Sequence, residues 1–178
     1  LDADLVSQRH RMLTDLMLMA VACDQARVFN MFYAAAFSGT TRKGYDKPHH
    51  TATHEEAVDP SEHCQPHVSW YTHRAMEEWA YYVQALNSIK EGDGTMLDHV
   101  LIYATTDQSF AKIHSIDGIP MFTAGRLGGR VKTGLHIDGG GSPGTRLGYT
   151  AQKLMGLDIA AWGDKSNNTS KEVGEILA

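Results

Sequence analysis

The chain has 178 residues, 42% of them hydrophobic and 21% charged, with 17 Gly, 5 Pro and a formal net charge of -5. That length and balance suit one globular domain spanning 1–178, and they exclude collagen-like, disordered and coiled-coil classes. The acidic balance argues against a nucleic-acid partner, and no apolar run nears the ~20 residues that span a bilayer.

In chain order, the first element is a helix from Leu5 to about Cys23, with Leu13, Leu16, Met17, Ala20 and Val21 as its apolar stripe and Arg9, Arg11, Thr14 and Asp15 opposite. Arg27 to Tyr33 is β-branched and aromatic and reads as a buried strand. Residues 39–66 form a long irregular connection, of a length that is usually functional or disordered. Val68, Tyr71, Ala75, Trp79, Tyr82, Val83, Leu86 and Ile89 then keep helical spacing until Gly92-Asp93-Gly94. Val100–Ala104 and Ile119–Ala124 are short apolar runs of the buried-strand kind, and a final amphipathic helix covers about Thr145 to Met155. Asp164 to Ser170 is a polar surface tail.

Strands alternating with helices predict an α/β fold with helices on both faces of one sheet. That sheet is expected to contain 27–34, 99–105 and 119–124, with the long helix 68–90 packed across it through Trp79 and Leu86. Three strands are few for a chain of this length, and the chain begins on Leu1 without a signal-peptide pattern. Both features suggest a processed chain or a piece of a longer protein. Cys23 and Cys64 are too few for a disulfide scaffold and read as free thiols.

Chemistry concentrates in histidine. Of ten histidines, six (His49, His50, His54, His63, His67 and His73) fall within 25 residues. His50 and His54 are four apart, which on a helical turn sets both imidazoles on one face, as in half of many zinc sites. His49, between them and the preceding proline, would point elsewhere. Solvated loop histidines are the plain alternative for every one of the six. The strand 100–104 delivers Thr105, Thr106 and Asp107 to its carboxyl end, where ligands of α/β sheets collect, and His114 and Asp117 return toward the next strand. Asp107 with His114 forms a carboxylate–imidazole pair suited to a divalent ion, against a turn cap and a surface histidine as the plain reading. Gly125-Arg126-Leu127-Gly128-Gly129-Arg130 has neither a following helix nor a P-loop lysine and reads as a β-turn. Cys64, between His63 and His67, is a minor thiolate candidate.

The stretch Pro48-His49-His50-Thr51-Ala52-Thr53-His54 resembles the signature of a bacterial family of unknown function named for its HXXSHH motif. His50, Thr53 and His54 match its first His, its Ser and its second His, while Glu55 replaces the third His. Asp24–Val28, Glu91–Asp98, Ile119–Gly125 and Trp162-Gly163-Asp164 resemble other parts of the C-terminal portion of such a protein. The family is distantly similar to the alkaline phosphatase and sulfatase superfamily. That resemblance implies an alkaline-phosphatase-like fold and metal ligands at His50, His54, Asp107 and His114, with Gln108 standing where a ligand His is lost. It further implies zinc, weakly held or absent, and a small anionic ester as substrate. The nucleophile is expected outside this chain, leaving it inactive alone, and an exported location is implied. A sheet surface left uncovered would pair, so a homo-oligomer is expected. The alternative is a non-catalytic binding or assembly module on the same fold.

Overall fold

Asp2 opens the first helix: its carboxylate accepts from the Asp4 amide at 2.8 Å, and α1 runs Ala3–Ala22. The computed structural model describes residues 1–178, which form two compact units, Leu1–Ile89 with Phe110–Ser115, and Lys90–Ser109 with Ile116–Ala178. The fold is mixed α/β, with five α-helices and two small antiparallel sheets. No helix is long and apolar enough to cross a membrane.

In the first unit, α2 spans His49–Glu55 and α3 spans Pro66–Ser88. Pro66 sits at the start of α3, where its missing N–H costs nothing, and the Glu56 carboxylate accepts from the His67 and Val68 amides at 2.9–3.1 Å. That carboxylate does the work of a cap from outside the helix. α1 and α3 run parallel, pinned in register by Arg74 to Asp4, Arg11 to Glu78, Tyr81 to Asp15 and Tyr82 to the Met17 sulfur.

The face of α1 turned inward is Ala3, Val6, Ser7, His10, Thr14, Met17 and Leu18, three of which are polar. The expected stripe is therefore rotated: Thr14 is fully buried, whereas Leu13 and Leu16 are 44% and 56% exposed. α1 carries apolar residues on two sides, and periodicity cannot say which of them meets α3. Glu78 and Tyr82 select the side that offers Arg11 and Met17.

Two further expectations change here. Residues 27–34 form no strand, and Val28 and Phe32 stand 80% and 75% exposed. β-branched and aromatic residues favour a pleated surface only where another strand supplies the ladder, and this segment has none. The long helix packs on α1 rather than across a three-stranded sheet. Leu86 is buried there, while Trp79 is half-buried with its ring 6.3 Å from that of Tyr82.

The second unit opens with a two-residue hairpin. β1 (Lys90–Glu91) pairs with β2 (Gly94–Thr95) around Gly92, whose φ of 56° only glycine adopts without strain. Thr95 and Asp98 then close a capping box on the short helix α4, Met96–His99. β3 (Ile102–Thr105) and β4 (Met121–Ala124) pair antiparallel with each other, Ile102 opposite Ala124 and Thr105 opposite Met121. These are the two apolar runs read as strands.

Gly125 follows β4 with φ 88° and lies buried against the Leu97 and Val100 carbonyls, where a side chain has no room. The amides of Arg126, Leu127 and Gly128 donate to Leu97, Val100 and Asp98. The glycine-rich stretch is thus a structural turn with its N–H groups spent, not an anion cradle. It seats Leu127 and Val131 in a core shared with Leu147 of α5 (Thr145–Leu154) and Ile176. Thr150, fully buried on α5, donates to the Arg146 carbonyl and accepts from the Val173 amide at 2.8 Å each.

Candidate functional site

The first unit gathers three imidazoles. α2 begins against residues 38–40: the His49 amide donates to the Thr40 carbonyl at 2.8 Å and the His50 amide to that of Ser38 at 3.0 Å. These bonds satisfy two of the N–H groups that a helix start leaves free. Ala52, fully buried, faces inward, and the i, i+4 spacing turns His50 and His54 to one side, with ring centroids 4.8 Å apart and planes at 75°. The Phe37 ring also lies beside His50, with centroids 4.8 Å apart.

His114 reaches the same place from 60 residues downstream. It ends the 3₁₀ turn Ala111–Ile113 in the left-handed conformation, φ 55° and ψ 37°, which non-glycine residues seldom adopt. Its ring centroid is 4.9 Å from that of His54 with planes at 83°. The turn is closed by the Phe110–Ser115 bridge and fastened to the end of α2 by Lys112, whose ammonium donates to the Glu56 carbonyl at 2.8 Å. A left-handed residue held by its neighbours in this way is a feature concentrated at functional sites.

Imidazoles sharing one tetrahedral zinc through nitrogens at about 2.0–2.1 Å have centroids roughly 5 Å apart, so both ring spacings suit that ion. The rings are neighbours without being aimed together: no group of three or more His, Cys, Asp or Glu side chains is arranged to hold a metal. Binding would require rotation about the imidazole χ angles. The donors are of the kind an imidazole-loving ion takes, and His54 stands at a suitable distance from each of the other two rings. They are too few for a two-ion clamp, which needs a full ligand set around each of two centres about 4 Å apart.

Asp107 occupies an exposed bend after β3, in the second unit. Glu55, at the third-histidine position of the motif, is exposed and paired with Lys47 at 2.8 Å. Thr53, at the serine position, is buried and donates to the His50 carbonyl at 2.7 Å.

The remaining histidines of the cluster take structural roles. His49 stacks on Tyr71 at 4.7 Å, and burial, followed by the neighbouring His50, holds its pKa below the usual value. His67 stacks on Tyr45 at 3.8 Å, and Arg42, which can only donate, bonds its Nδ1 at 2.6 Å. His73 bonds the Ser69 carbonyl one turn back, and His63 is exposed in a left-handed turn. Cys64 and Cys23 are free thiols.

Phe37 and Lys112 were not legible as site residues: Phe37 lies in a segment read as strand and its aftermath, and Lys112 carries no spacing signal. No family model, curated protein or solved structure matches the chain.

Proposed function

We propose that this chain is the ion-binding part of a metal-dependent phosphatase- or sulfatase-like hydrolase, holding one divalent cation, zinc by preference, with His50, His54 and His114. The observation that supports it is the gathering of those three rings from two separate segments, with His114 in a conformation that its flanking bonds enforce. A bound zinc supplies Lewis acidity toward an anionic ester oxygen. The residues themselves hold and orient: α2 fixes two donors on one face, and Lys112 ties the third to the end of that helix. The kinship with the HXXSHH family, an alkaline-phosphatase-like architecture, a small anionic ester as ligand and self-association all belong to this proposal. With the nucleophile expected outside this chain, the chain alone is expected to turn over no ester.

Calorimetric titration of zinc into metal-free protein tests the reading. The expected result is one zinc per chain, weakened about tenfold or more by His50→Ala, His54→Ala or His114→Ala. His63→Ala and His73→Ala should leave it unchanged. Equal binding by His114→Ala and the unaltered chain would overturn the shared site. Turnover of an aryl phosphate or sulfate by the unaltered chain would overturn the claim of inactivity. The second reading, a non-catalytic assembly module, is favoured by the exposed apolar side of α1.

A further inference from the structure

Both sides of α1 are apolar, and only one is used. Leu5, Met12, Leu16 and Met19 follow one another at steps of seven, four and three residues, the spacing of a helix–helix seam, with Leu13 beside them. They are exposed to 57%, 66%, 56% and 59%, and Leu13 to 44%. At 100° per residue this stripe lies nearly opposite the face that α1 buries against α3. Exposed Cys23, four residues past Met19, continues its line.

The area is of the size a dimer needs. At roughly 100 Å² for a half-exposed Leu or Met, the five side chains offer about 500 Å². Two copies face to face would bury about 1,000 Å² of apolar side chain before any polar rim, approaching the ~1,200 Å² at which specific interfaces begin.

The charges on α1 disfavour a membrane as the occupant. Arg9 and Arg11 are balanced by Asp4 and Asp15, whereas helices that lie on lipid surfaces carry a Lys- and Arg-rich polar face. Arg11, Asp4 and Asp15 are moreover already bonded to Glu78, Arg74 and Tyr81 of α3.

We infer that α1 is a self-association surface, pairing with α1 of a second copy through Leu5, Met12, Leu16 and Met19. This deepens the self-association part of the reading above and is independent of the metal. Sedimentation velocity on the full chain across a concentration series tests it. The unaltered chain is expected to dimerise, and Met12→Glu/Leu16→Glu to raise the dissociation constant about 100-fold or more. Leu157→Glu, at an exposed position of the second unit, serves as the control that leaves association unchanged. Because Met12 and Leu16 are more than half exposed, the double variant should keep its thermal midpoint as a monomer, which circular dichroism checks. A monomer at about 100 µM would overturn both the surface and self-association. A dimer that Met12→Glu/Leu16→Glu leaves intact would overturn the surface alone. Co-sedimentation of the unaltered chain, still monomeric, with phosphatidylcholine–phosphatidylserine vesicles would overturn the second copy as occupant. None of these outcomes touches the zinc titration.

Discussion

Replacing Arg11 with Met keeps an apolar stem on α1 and deletes one guanidinium, and the effect on stability should be large. Glu78 is 0% exposed, and its two oxygens accept from Arg11 Nε and Nη2 at 2.8 and 2.9 Å. Removing one partner of a buried pair costs about 3–5 kcal/mol because the other charge is stranded. The Arg11 side chain is 47% exposed, so water can enter from its side, and the low end, about 3 kcal/mol, applies. With a urea slope of ~2 kcal/mol/M, the first unit's midpoint should fall by about 1.5 M. Removing both charges in Arg11→Met/Glu78→Leu should recover most of the loss, to within ~1 kcal/mol of the unaltered chain, since an apolar replacement of a buried pair is near neutral. Burial lowers the His10 pKa and the nearby Glu78 raises it. Without Arg11 that second influence grows, and the His10 titration followed by NMR should move upward. A single variant within 1 kcal/mol of the unaltered chain, or a double variant less stable than the single, would refute the argument.

Gly125→Ala should cost about 3 kcal/mol or more, because a Cβ must occupy the space of the Leu97 and Val100 carbonyls at φ 88°; calorimetry should show the second unit melting early. His10 is held below the ordinary imidazole range, chiefly by burial, so the unfolded chain takes up its proton first. Its contribution to stability is full above the unfolded pKa and is lost as pH falls toward the lowered folded one, and His10→Phe should flatten the slope of urea stability against pH in that window. Asp98 is held low by bonds from the Thr95 amide and hydroxyl, so Asp98→Ala should lower the urea midpoint at neutral pH, and the difference should close as acid protonates the carboxylate. An unchanged gap at pH 3 counts against that assignment.

What the sequence conveyed follows from how local each signal is. α3, α5 and β4 are bounded by glycine or proline, the helices carry their own period and the strands are short apolar runs, and their ranges agree with the readings to within a few residues. His50 and His54 were legible because a four-residue step means one face wherever a helix forms. His114 was read from the residues as a partner of Asp107, and its grouping with His50 and His54 came only through a resemblance; nothing local announces that a 3₁₀ turn will swing it back to α2. The strand expected at 27–34 failed because a ladder needs a second chain segment, which composition does not reveal. Glu78 was invisible for a related reason. A carboxylate in mid-helix ordinarily faces water, and only the arrival of Arg11 from a distant helix makes its burial tolerable.

The six residues Phe110–Ser115 belong to the first unit although both of their flanks belong to the second. The order of synthesis then matters. A nascent chain can pair α1 with α3 as soon as Ser88 has left the ribosome, yet the third imidazole and the lysine that fastens it are still unmade. Before that six-residue piece can be delivered, the β1–β2 hairpin and β3 have been translated, and β3 must wait longer still for β4. Gene dissection meets the same constraint: a fragment ending at Ile89 keeps both long helices and His50 and His54 but lacks His114 altogether. The histidine cluster is thus the last part of the first unit to mature, and the first to be lost when the chain is cut.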